Sequence, residues 1–199
     1  MPELPEVEHV KRGIEPYAIN TTINKITFSE NVKKGKEDNR ETIIKGMTLD
    51  SFQRLTEGYT ITKIERRSKY IVFYINRDSE QRILISHLGM AGGFFVVDHL
   101  EQIAVPNYRK HWQVIFELDN GKKLIYSDIR RFGEIRNVSS FDAYPSFLSI
   151  APEPFDEDAM QHFLDITNKK NYAKKPIKQV ILDHKVISCL LYTSDAADE

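Results

Sequence analysis

From Thr21 to about Val138 the chain is a succession of short runs rich in Ile, Val, Phe, Tyr and Thr. Branched and aromatic side chains suit the half-buried, pleated surface of a strand better than a helix. The runs predict strands over 22–29, 59–66, 70–76, 82–86, 93–97, 112–118, 122–127 and 134–138. Turn signals separate several of them, at Asn76–Asp78 and at Asp119-Asn120-Gly121, the latter a hairpin type. Many short strands joined this way bury their apolar faces against one another as a sandwich or barrel. A charged segment from Asn31 to Lys45 interrupts the series and reads as a solvated loop.

Helical patterns flank this β region. Val7, Val10, Ile14 and Tyr17 recur at three- and four-residue spacing, which predicts a helix over 5–17 with Pro16 marking its exit. Ser149 to Phe155, SIAPEPF, is Pro-rich and reads as a linker. Beyond it, Asp156 can cap a helix running to about Thr167, with Met160, Phe163 and Leu164 on its apolar face. Pro176 can open another, with Ile177, Val180, Ile181 and His184 following. The shift from β to α places a domain boundary near residue 150. The expected fold is mainly β with α: an N-terminal helix on a two-layered β-sandwich over 1–150, then a helical domain.

Composition excludes several classes. Hydrophobic residues make up 41% and charged residues 29% of the 199, enough for a packed core and unlike a disordered chain. No apolar run is long enough to span a bilayer, and the N-terminus lacks the apolar stretch of a secretory signal. The single cysteine, Cys189, excludes a disulfide framework and a multi-cysteine zinc site, and a reducing cytoplasm fits. The formal net charge of −1 does not advertise a nucleic-acid partner, so local clusters matter more than the sum.

The N-terminus, MPELPEVE, admits two readings. One is a capped helix start, because Pro5 suits a first helical position and acids favour the positive end of the helix dipole. The other is chemical. With Met1 removed, Pro2 carries a terminal secondary amine, and an α-amino group titrates at about 7.7–8.0, so part of it is nucleophilic at neutral pH. Attack on a carbonyl-like carbon gives an iminium, the proline form of Schiff-base catalysis. Glu3 beside it can move protons at the same centre. These eight residues leave both readings open.

The same stretch resembles the N-terminus of the formamidopyrimidine-DNA glycosylase family of bacterial DNA-repair enzymes. Further blocks follow in that family's order across about residues 1–188. Arg66-Arg67-Ser68-Lys69-Tyr70 resembles a block whose lysine contacts the phosphate at the lesion, here Lys69; the family usually has glycine where Ser68 stands. His87-Leu88-Gly89-Met90 resembles the block whose methionine helps fill the hole left by a flipped nucleotide, with His87 near the phosphates. Asp128-Ile129-Arg130-Arg131-Phe132-Gly133 resembles a turn whose arginines bond an orphaned base or phosphate and whose aromatic inserts between base steps, although the family carries proline at the position of Ile129. Ala151-Pro152-Glu153-Pro154 resembles the linker motif, normally begun by glycine. Ile177 to Ile187 resembles the first helix of a helix–two-turns–helix domain, with Lys178 matching a lysine near the active site.

The resemblance implies excision of oxidised purines, such as 8-oxoguanine and formamidopyrimidines, and strand cleavage at the abasic site. Pro2, Glu3 and Lys69 would be catalytic. His87, Met90, Arg130, Arg131, Phe132 and Lys178 would bind DNA. Leu4 and Val7 favour this purine branch over the sister subfamily that acts on oxidised pyrimidines. A non-catalytic DNA-binding fragment and an inert truncation product are the rival readings, and the activity of the shortened chain is expected to be impaired. A monomer acting on damaged double-stranded DNA, in the bacterial cytoplasm and without a membrane, is expected. The family continues into a second helix and a zinc finger, so a helical domain cut short at 151–188 is expected. No metal is expected in this chain, because His99, His111, Asp98 and Asp142 lack compact ligand spacing. The last stretch, CLLYTSDAADE over 189–199, has no counterpart in the family and reads as translated sequencing adapter. Without its acids Asp195, Asp198 and Glu199 the charge balance turns basic.

Overall fold

The computed structural model describes residues 2–172 and 174–188, so the suspected adapter stretch lies outside the described residues. The chain divides into two compact units, the first ending at Ser140 and the second starting at Phe141.

The first unit begins with α1 (Leu4–Ala18), whose Val7, Ile14 and Ala18 are buried. Pro16 lies inside this helix rather than at its exit, and the chain leaves at Ile19, whose N–H still bonds the Glu15 carbonyl. Then follow β1 (Thr21–Phe28), α2 (Glu30–Glu37), α3 (Leu49–Arg54), β2 (Thr60–Arg67), β3 (Tyr70–Arg77), β4 (Glu80–His87), β5 (Gly92–Val97), α4 (Pro106–Lys110), β6 (Trp112–Leu118), β7 (Lys123–Asp128) and β8 (Glu134–Val138). Every predicted strand is present, with ends displaced by a residue or two.

All strand pairs are antiparallel, in the order β5-β7-β6-β1-β2-β3-β4-β8. β1 makes two layers out of this order. Thr21 and Thr22 pair with β2; from Ile23 onward the strand pairs with β6, with an irregularity between Ile23 and Lys25. A bulge of this kind bends a strand and increases its twist, which carries β1 from one layer to the other. The layers meet through Ile61, Phe73 and Leu84 on one side and Phe94, Phe116 and Leu124 on the other. The Phe73 and Phe94 rings lie edge-on, 5.4 Å apart. The expected N-terminal helix and β-sandwich are therefore the observed ones.

The solvated loop expected over Asn31 to Lys45 is not what forms. Ser29 caps α2 by accepting from the Val32 N–H, and Val32 is buried. Ile43 and Ile44 are also buried, and Ile44 bridges Ile135 in parallel, covering the outer edge of β8. Charge density hid these apolar residues because none of them repeats at a helical or strand spacing.

The second unit contains α5 (Pro145–Leu148), α6 (Ala159–Thr167) and α7 (Ile177–Ile181). The boundary expected near 150 falls within it, since the stacked Phe141 and Phe147 rings, 5.2 Å apart, anchor its start. Helix α6 begins later than expected because Asp156 accepts the Glu153 N–H and holds a turn instead. Helix α7 stops at Ile181, short of the expected Ile187. Asp183 accepts from Lys185 N and from the Tyr172 hydroxyl, local bonds that compete with a continuing helix.

Candidate active site

The N-terminal helix delivers its first residues to the β2–β3 hairpin. Glu3 is the residue before α1; its carbonyl accepts the Val7 N–H and its own N–H donates to the Glu6 carboxylate at 2.9 Å. The Glu3 carboxylate lies 2.8 Å from the Lys69 ammonium. Both side chains are largely shielded, at 20% and 14% exposure, so the pair is less screened than a surface bridge. A second pair fixes the approach. Arg66 donates to Glu8 at 3.0 Å, and Arg12 donates to the other carboxylate oxygen at 2.7 Å. Burial alone would raise the Glu8 pKa, but the Arg12 and Arg66 hydrogen bonds outweigh it and hold Glu8 below the usual carboxylate value. Two residues on, Ser68 occupies the left-handed region at φ 56°, the conformation that favours glycine. This accounts for glycine at that position in the resembling family.

Register then lines up the neighbouring groups. Tyr70 pairs with His87, and His87 with Glu134, at one end of three strands. His87 is half-buried against the Tyr70 ring, 4.9 Å between centroids. Its Nδ1 accepts the Gly89 N–H at 3.1 Å, so the neutral ring carries its proton on Nε2 and can donate from there. Burial pushes its pKa below the ordinary value; Lys69 adds to this and the Glu134 carboxylate opposes it. The unfolded chain therefore binds this proton more readily than the folded one. Stability from His87 is complete above the unfolded value of about 6.5 and is lost as pH falls through the folded value. Thermal melts between pH 7.5 and 5.5 are expected to show this loss, and His87→Gln should flatten that part of the profile. An unchanged profile in the variant would remove the assignment.

The loops after β4 and β7 pack backbone to backbone. Gly89 sits at φ +63°, and a Cβ there would lie 2.4 Å from the Gly133 nitrogen. The buried Asp128 organises the second loop: one carboxylate oxygen accepts from Arg130 N and Arg131 N, the other from Gly133 N at 2.8 Å. Three backbone donors on one carboxylate hold the turn without the proline that Ile129 replaces. The result is a projecting cluster. Met90 is 39% and Phe132 62% exposed, unusual for large apolar side chains, and the Arg130 guanidinium lies 5.0 Å over the Phe132 ring.

The Formamidopyrimidine-DNA glycosylase N-terminal domain family matches residues 1–135, which include the helix, the Glu3–Lys69 pair and both loops. This chain belongs to the formamidopyrimidine-DNA glycosylase family. It is 34% identical over 192 residues to the formamidopyrimidine-DNA glycosylase of Streptococcus agalactiae serotype III, covering 96% of this chain and 62% of that protein. The corresponding protein of Dinoroseobacter shibae is 32% identical over 206 residues, with 98% and 66% covered. The chain thus spans about 62% of the length of its streptococcal relatives. Among solved structures, Lactococcus lactis Fpg in complex with abasic-site DNA superposes with a TM-score of 0.70 at 28% identity, over 96% of this chain and 64% of that one. The same enzyme has been solved with Fapy-dG DNA, covering 95% and 64%.

Within this family member, Glu3 and Lys69 come together, and Met90, Arg130, Arg131 and Phe132 share one projecting edge. His87 stands between them in register. Pro2 precedes the pair in the chain. Lys178 is exposed on α7 in the second unit. Sequence reasoning missed the role of Asp128 and the Glu8–Arg66 tie. The Asp128 turn has no local signal in the sequence, because the left-handed conformation of Arg131, three residues on, shows only in the structure. Among the described residues there is no group of three or more His, Cys, Asp or Glu that could hold a metal. No helix among them is long and apolar enough to cross a membrane.

Proposed function

We propose that this chain acts in base-excision repair as a DNA glycosylase and abasic-site lyase, with oxidised purines as substrates and Pro2 as nucleophile. The observation that carries the reading is the shielded Glu3–Lys69 pair, 2.8 Å apart, directly after Pro2. Once Met1 is removed, the Pro2 lone pair attacks the sugar C1′, the glycosidic electron pair leaves with the base, and the Glu3 carboxylate takes up the proton released from the Pro2 nitrogen. Glu3 delivers a proton to the ring oxygen as the sugar opens, which gives the iminium. Loss of a C2′ proton then expels the 3′ phosphate. Lys69 exchanges Glu3 for the phosphodiester at the lesion and holds the strand while these steps occur. The base must first leave the stack, and Met90 and Phe132 fill the space it vacates. Damaged double-stranded DNA is the partner, and Lys178 a further DNA contact. The helical domain over 151–188 serves the same duplex.

A denaturing gel with duplexes carrying 8-oxoguanine, a formamidopyrimidine, an oxidised pyrimidine or no lesion tests the reading. Cleavage at the purine lesions is expected. Faster cutting of the oxidised pyrimidine would move the chain to the sister branch, a distinction with a concrete basis because Lactococcus lactis Fpg has itself been solved with oxidised-pyrimidine DNA. Binding to all four duplexes without cutting would make it a DNA-binding module.

Met90→Ala and Phe132→Ala should weaken binding to lesion duplex while sparing reaction with a preformed abasic single strand. Both side chains act on unstacking, which costs a few kcal/mol in duplex and little where stacking is already lost. Equal losses on both substrates, measured by gel shift and trapping, would count against their role.

A further inference from the structure

The loop from Asp128 to Glu134 has a second side. Tyr70, His87 and Glu134 mark the end of one layer, with Lys69 next to them in the β2–β3 turn. Gly92, Asp128 and Trp112 mark the adjoining end of the other layer, beside Phe28 and the start of α2. The projecting loop therefore separates the Glu3–Lys69 pair from α2. Between that loop and α2 lies a cleft of about 430 Å³, lined by Lys34, Arg40, Glu41, Arg130, Arg131 and Phe132 among others. Its charge is built. Gly35 is buried on α2, so close to Thr42 that a Cβ would lie 2.6 Å from the threonine methyl, and the Gly35 carbonyl accepts the Arg40 N–H at 2.7 Å. This packing sets Lys34 and Arg40 on the same wall, opposite Arg130 and Arg131. The acid in the lining, Glu41, is taken up by Lys45 at 2.5 Å. Arg40 pairs with Asp38, but that pair is exposed and such a bridge is worth little, so a stronger anion can replace it.

Four cations with one exposed aromatic at the rim suit a nucleotide: a phosphodiester for the cations and a base face for Phe132. Resting on the glycosylase reading, we infer that Lys34 and Arg40 hold a phosphodiester of the strand opposite the lesion. The damaged strand lies over Lys69, the inserted side chains stand in the middle, and the complementary strand falls on the α2 side. The segment then makes the protein selective for duplex over single-stranded substrate.

The test uses the full chain and a duplex bearing a tetrahydrofuran abasic analogue, with the complementary strand either native or carrying neutral methylphosphonates opposite the analogue. Each phosphate contact contributes about 0.9 to the slope of log affinity against log salt. Lys34→Gln/Arg40→Gln should lower that slope by about 0.9, the share of the one phosphodiester the two residues hold, on the native duplex. It should leave binding to the single-stranded analogue unchanged and lose nothing further when the complementary phosphates are neutralised, whereas wild type should weaken severalfold. Equal loss on single strand and duplex, or a methylphosphonate effect that survives in the variant, would overturn the inference. Wild type that binds the analogue duplex no better than undamaged duplex would instead sink the glycosylase reading, and the strand assignment with it.

Discussion

Gly89→Ala is expected to cost about 3 kcal/mol or more, from two sources that add. A non-glycine residue held in the left-handed region costs about 1–2 kcal/mol, and Gly89 sits at φ +63°. The new Cβ would also lie 2.4 Å from Gly133 N and 2.6 Å from Phe132 C, both backbone atoms with no rotamer to escape into. Forcing them apart is overpacking, worth a further 1–3 kcal/mol or so. The loop cannot yield freely, since Asp128 ties Gly133 N at 2.8 Å. A domain of this size loses roughly 2–4 °C per kcal/mol, so a fall of about 6–12 °C in melting temperature is expected. Gly121→Ala is the control. Its φ is +83°, but nothing lies within 4 Å of the added carbon, so only the strain remains. Equal losses in the two variants would show that the two loops are not locked together.

Glu3→Gln is expected to lower strand cleavage by about 10²–10⁴-fold, the range for removing a positioned general acid or base. The amide keeps the size of the side chain but neither transfers a proton nor pairs ionically with Lys69, now 2.8 Å away. Lys69 therefore loses its ion pair with Glu3 near the phosphate site, and DNA affinity should hold or rise while turnover falls. That split separates a chemical role from a structural one, because unfolding would reduce both. A variant that cleaves at the wild-type rate would exclude Glu3 as the proton carrier.

The strands were legible because each repeats apolar residues at short spacing between turn formers, and a sandwich needs little more. Residues 31–45 were not, because their burial depends on partners far along the chain: Ile44 meets Ile135, and Val32 depends on the Ser29 cap. The candidate site divides in the same way. Glu3 and Lys69 were named from their motifs, and their meeting follows from α1 lying against the sandwich. The Asp128 carboxylate that shapes the Arg130–Phe132 turn went unread, since an aspartate ending a strand gives no sign in sequence of the three N–H groups it will collect. Helix α7 was read too long because Asp183 looks like one more polar position until Tyr172 and Lys185 bond to it.

The central claim is that the Pro2 nitrogen forms the covalent bond to DNA. Borohydride reduction of the protein with abasic-site DNA, followed by peptide mass spectrometry, tests it directly. The account expects loss of Met1 and a sugar-derived mass on the peptide beginning at Pro2, with the adduct strongly reduced in Pro2→Gly. An adduct on protein that retains Met1, or one mapped to Lys69 or Lys178, would contradict it.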